Sequence, residues 1–156
     1  MKKILKLLVF IAIPFIFAFI GSISADSAST YQEILKPSYS PPSIVFPIAW
    51  TIIYFLMGIS SYLVYTSNAS KEAKTSALTV YLIQLIINSS WTFFFFNMQW
   101  YLFSFIIIIL LIFLVIVMII KFYEINKLAG ILNIPYLLWL YFAGILTLNI
   151  YMLSNI

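Results

Sequence analysis

The side chains in this sequence that could hold or act on a partner are indoles, phenols and carboxamides, and they recur at helical spacing. Gln84, Asn88, Trp91 and Phe95 follow i, i+4, i+7, i+11. Trp50, Tyr54, Met57 and Ser61 do the same, as do Trp139, Ala143, Leu146 and Ile150, with Phe142 and Thr147 beside that last stripe. Histidine, cysteine and arginine do not occur, which excludes Cys or Ser–His nucleophilic pairs, His/Cys metal sites and a histidine haem ligand. No metal site and no bound cofactor is expected. Two readings of the stripes remain open. Indoles from three segments, with Tyr54, would form a pocket for a large, flat, apolar ligand that Asn88 or Gln84 orients. Planar tetrapyrroles fit that description and small ions do not. The same spacing also describes plain helix–helix contact, with Asn88 and Asn149 as hydrogen-bonding glue, and spacing alone weighs toward that reading.

The elements that must position these residues follow from composition. Hydrophobic residues make up 65% of the 156 and charged residues 8%, against ~25% charged in a soluble domain. With a mean hydropathy of +1.14, the fold class is an all-α integral membrane protein. A single domain, 1–156, is expected as a bundle of five transmembrane helices at about 4–23, 43–65, 77–96, 100–120 and 130–153. The first segment admits two readings, a cleaved signal peptide ending in small residues before Asp26 or a retained helix; its length favours retention. Five spans place Lys2, Lys3, Lys6, Lys71, Lys74, Lys121 and Lys127 on one face and only Lys36 on the other. The positive-inside rule then makes the amino terminus cytoplasmic and turns the Lys36 loop outward, in a cell membrane. The net charge of +4 is all lysine and lies in loops, so it reports topology rather than nucleic-acid binding.

Local expectations centre on Lys36–Tyr54, where prolines lead into an apolar run. Pro42 is expected at the first helical position, and Pro47 to lose a bond to the Ser43 carbonyl and loosen the helix before Trp50. The prolines, Pro41 among them, would make a stiff lid with Trp50 and Tyr54 beneath. Residues 66–76 read as a solvated connector, 97–99 as a tight turn, and 121–129 as the return to a fifth span that Pro135 bends. Asp26, Glu33, Glu72 and Glu124 fall in loops, so no acid–base dyad sits in the spans. With no ionisable residue in the second to fifth spans, a proton-coupled transporter is disfavoured; a purely structural membrane partner is the further alternative.

The segments YQEILKPSYSPP…WTIIYFLMGISSYLVY, QLIINSSWTFFFF and PYLLWLYFAGILTLNIYMLSN, in that order between Tyr31 and Asn155, resemble the TspO/MBR family of tryptophan-rich sensory proteins and translocator proteins. That resemblance implies a homodimer of five-helix subunits with a pocket under the first loop. The pocket would bind porphyrins such as protoporphyrin IX and isoquinoline or benzodiazepine-type compounds. It also implies, for some members, light- and oxygen-dependent porphyrin degradation, a reaction that Trp50 and Trp139 would serve as redox partners. By motif, Tyr31, Asn88, Trp91, Phe142, Ala143 and Leu146 match pocket positions. Tyr39 replaces a tryptophan usual in KPxWxPP. Nothing basic follows Tyr151, so a sterol partner is not implied.

Overall fold

Five helices in the computed structural model are long and apolar enough to cross a membrane, the bundle that composition implies. The structure describes residues 1–23 and 27–156, and no strand occurs among them. Asp26 and part of the small-residue stretch of the signal-peptide reading lie outside the described residues. The elements are α1 (Lys2–Ser22), α2 (Ser27–Glu33), α3 (Val45–Tyr65), α4 (Lys71–Thr92), α5 (Tyr101–Ile125), α6 (Lys127–Ile131) and α7 (Ile134–Ser154). The 21 residues of α3, at ~1.5 Å each, extend roughly 30 Å, the thickness of a hydrocarbon layer.

Helix α1 packs on α3 and α4, α4 on α5, and α5 on α7, while α3 reaches α4 and α6. Buried positions recur every three or four residues, as they must on a helix that shows one face to its neighbours. Met57, Ser61 and Val64 on α3 meet Ala77, Tyr81 and Leu85 on α4 and Leu111, Val115, Met118 and Phe122 on α5. Two glycines let α1 come close. A Cβ at Gly58 would overlap the Ile11 backbone, and one at Gly21 would lie 2.7 Å from the Ser89 carbonyl oxygen.

Several boundaries differ from the sequence expectation, each for a local reason. The third span begins at Lys71 rather than near Ala77, because Ser70 caps the helix by accepting from the Ala73 amide at 3.1 Å. Only residues 66–70 are therefore connector. At its far end α4 widens into a π-helical turn, Phe93–Asn97, and Trp100 N–H closes on the Phe94 carbonyl at 3.0 Å. Gln99, at φ 52°, turns the chain into α5. The fourth span runs on to Ile125, and the return segment is largely helical, broken at extended Asn126, which caps α6.

The prolines also sit differently. Helix α3 starts at Val45, so Pro42 stays in the loop and Pro47 falls in the first turn. There its missing N–H has no intrahelical partner to lose, and it does not loosen the helix. Pro135 likewise opens α7 rather than bending it. The break between α6 and α7 is held by α3. Ser60 Oγ donates to the Ala129 carbonyl at 2.8 Å, and Asn133 Nδ2 donates to Ser60 Oγ and to the same carbonyl. A carbonyl freed in a membrane needs such a donor.

The lysines gather at one end of the bundle, with Lys36 apart from them. Lys3, Lys6, Lys71 and Lys74 surround one hollow, and Lys121 donates to Ser76 at the same end. Lys127 opens α6 just beyond α5. Lys36 lies at the opposite end, before α3.

Candidate functional site

A cavity of about 540 Å³ lies at the Lys36 end, between α1, α3 and α4. Helix α3 lines it with Phe46, Pro47, Trp50, Thr51 and Tyr54; α4 and its π turn add Asn88, Trp91, Thr92 and Phe96. Helix α1 completes it with Phe15, Ala18, Phe19 and Ser22, while Ser27, Ala28 and Tyr31 of α2 and Ser43 and Ile44 form the rim. That volume is within the ~300–1,000 Å³ of small-molecule sites.

The wall is aromatic and already ordered by stacking. Trp50 and Tyr54 stack at 5.3 Å and 22°, and Phe15 of α1 meets Tyr54 edge-on at 5.9 Å. Trp91 stacks on Phe95 at 4.7 Å. Asn88 Nδ2 donates to the Tyr54 hydroxyl at 3.1 Å, a polar spot that joins α4 to α3 within the mostly aromatic wall. Such a surface can hold a flat, mostly apolar guest by ring contact and orient it with one carboxamide–phenol pair.

The rim is tied down by α2. Tyr31 is buried, and its hydroxyl donates to the Pro41 carbonyl at 2.9 Å. Burial raises that hydroxyl's pKa above its usual value. Its ring meets Phe46 at 4.9 Å. Lys36 closes the end of α2, its Nζ donating to the carbonyls of Tyr31, Gln32 and Ile34 and lying 5.0 Å from the Tyr31 ring centre. Tyr39 accepts from Asn149 Nδ2 at 2.8 Å, which latches the proline loop to α7.

The sequence-predicted residues therefore divide. Tyr31, Trp50, Tyr54, Asn88 and Trp91 come together on the cavity; Pro41 serves through its carbonyl. Trp139 stands behind Trp50 instead, edge-on at 6.4 Å, and Phe142 tilts onto it at 5.3 Å. Ala143 is buried, and Leu146 packs with Ile34, Phe95 and Ile150 in a filled cluster under the loop. None of these four α7 residues lines the cavity. Gln84 does not line it either: its Oε1 accepts from Tyr136 at 2.9 Å and its Nε2 approaches Met57 Sδ, all buried. The wall that sequence reasoning missed is α1. Phe15 and Phe19, with Ala18 and Ser22, are two i, i+4 pairs on adjoining faces, a large–small pattern present in the sequence but hidden by uniform apolarity.

Residues 10–153 match the model of the TspO/MBR family. The chain is 32% identical over 155 residues to the tryptophan-rich protein TspO of Chlorobaculum tepidum, covering 98% of each chain. It is 36% identical over 154 residues to the protein of the same name in Archaeoglobus fulgidus, covering 97% of this chain and 99% of that one. It is also similar to the human translocator protein, 30% identical over 139 residues, covering 87% of this chain and 81% of that one.

Proposed function

This chain belongs to the TspO/MBR family, and from that premise we propose that it is a receptor-type membrane protein that binds porphyrins, protoporphyrin IX among them, in the cavity between α1, α3 and α4. The observation that carries the proposal is the aromatic wall, in which Trp50, stacked on Tyr54, and Trp91 line one space of ligand size. A planar macrocycle would lie against the indoles, and the Asn88–Tyr54 pair would receive one of its polar groups. Isoquinoline and benzodiazepine-type compounds, flat and apolar, would use the same wall.

The protein would sit in the cell membrane as a homodimer, with the lysine-rich end cytoplasmic. Any light- and oxygen-dependent loss of the porphyrin would use the ligand's own photochemistry, with Trp50 as an indole on the cavity wall and Trp139 in edge contact behind it.

Titration of the purified protein with protoporphyrin IX tests the reading. Tryptophan fluorescence should quench saturably, and Trp50→Ala and Trp91→Ala should each weaken binding about tenfold or more. Equal affinity in the wild type and both variants would remove the ligand from this cavity. Illuminating the complex with and without oxygen tests the chemistry separately: bleaching that proceeds equally under argon would exclude the oxygen-dependent reaction while leaving the binding result intact.

A further inference from the structure

At the opposite end of the bundle lies a second hollow, unrelated to the aromatic cavity. Lys3 and Lys6 of α1 and Lys71 and Lys74 of α4 rim it, and Tyr62, Tyr65 and the turn after α3 form its floor. We infer that this hollow binds a phosphate-bearing anion, in the manner of an anionic phospholipid headgroup.

The positive-inside pattern accounts for the number of lysines at this end, but not for their arrangement. Four cations from two helices converge on one concavity that no carboxylate lines. The next hollow at the same end is different: Lys121 shares it with Glu124 and donates to Ser76. Cations left uncompensated beside one another repel unless an anion sits between them.

Part of the site is already built. Lys74 Nζ donates to the Tyr65 and Ser67 carbonyls at 3.2 and 3.0 Å, which fixes both the lysine and the end of α3. Lys6 Nζ is held 5.9 Å from the centre of the Tyr65 ring, and that ring packs on Phe10 at 4.9 Å. Thr75 adds a hydroxyl and Leu78 an apolar side, while the Thr66 and Ser67 hydroxyls donate to the Tyr62 and Val64 carbonyls and steady the turn. The hollow lies where three apolar helices end, at the depth of a headgroup. A basic pocket between spans at that level suits a lipid phosphate, with each lysine contributing modestly and the sum falling with salt.

Native mass spectrometry of the protein, taken from nanodiscs of equal phosphatidylglycerol and phosphatidylcholine, measures which lipid stays bound. Wild type should retain phosphatidylglycerol preferentially, and the double variant Lys6→Gln, Lys71→Gln should lose about tenfold of that preference. The double variant Lys121→Gln, Lys127→Gln removes the same charge from the same end and should keep it. Lys6→Arg with Lys71→Arg should keep it also, and its result stands even if the glutamine pair fails to fold.

Inorganic phosphate separates the sources. If it displaces phosphatidylglycerol and raises the unfolding midpoint of lipid-free protein, the hollow takes free phosphate; if it does neither while lipid preference persists, the lipid phosphate is the ligand. Equal loss in both glutamine doubles, or no lipid preference and no phosphate effect in wild type, overturns the inference.

Discussion

Trp50 borders two regions built from the same kinds of residue with opposite outcomes. Toward α7 its ring meets Tyr136 and Trp139, and Trp139 meets Phe46 and Phe142, so the seam between α3 and α7 is filled. Toward α1 it faces a space of about 540 Å³. The difference is in what the opposing helix supplies. Helix α7 brings rings at successive turns, Tyr136, Trp139 and Phe142. Helix α1 brings Ala18 between its phenylalanines and Ser22 beyond the last of them, and is held near by Gly58 and Gly21 at separate points. Aromatic density alone therefore does not make a cavity; a close helix with small residues at the right turn does.

That contrast can be broken from the filled side first. Trp139→Ala should destabilise the protein by about 3 kcal/mol, because it empties a packed seam. Thermal unfolding in detergent would read the loss, and a midpoint like wild type would mean that the seam is not close-packed. Next, Gly58→Val should cost about 2 kcal/mol by forcing the Ile11 backbone away. Its porphyrin affinity should fall with it, since α1 carries one wall. Cysteine pairs introduced across α1 and α3 would report the separation.

The open side sharpens the comparison. Ala18→Phe should fill part of the space, leaving the unfolding midpoint nearly unchanged while protoporphyrin IX affinity drops about tenfold, or about 1.4 kcal/mol. Unchanged affinity in a fluorescence titration would place the ligand elsewhere.

Tyr31→Phe, at the rim, should cost about 1 kcal/mol through loss of the bond to Pro41. Burial raises the Tyr31 pKa in the folded protein above its value of 10.0, so the protonated form is favoured there. The associated stability is complete below about pH 10 and declines as pH rises past it. Alkaline unfolding of Tyr31→Phe should show a shallower decline than wild type. Smallest of all, Tyr39→Phe should change stability by about 0.5 kcal/mol, since the latch to Asn149 is exposed. Faster exchange of bound porphyrin would be its measurable sign.

Span number and lysine partition were legible in the sequence because hydropathy and charge are sums over many residues. Tyr31, Trp50, Tyr54, Asn88 and Trp91 were legible as a cluster because polar and aromatic residues stand out against an aliphatic background. Helix α1 was not, since Ala18 between two phenylalanines differs from its neighbours only in size. The start of α4 was hidden for the opposite reason: KEAKTS is polar, and hydropathy ends the span where helical hydrogen bonding does not. Gln84 lay in the right stripe but one turn deeper, where Tyr136 claims it. Helical spacing gives direction around an axis, and depth is set by the partner helices.

The knot of Ser60, Ala129 and Asn133 has a bearing on biogenesis. The interrupted fifth crossing exposes a peptide oxygen, one of whose two donors was translated 69 residues earlier. Lipid offers no substitute. Asn133, four residues on, gives the same oxygen a local donor, so the segment can enter lipid with its break covered and gains the Ser60 bond when it docks on α3.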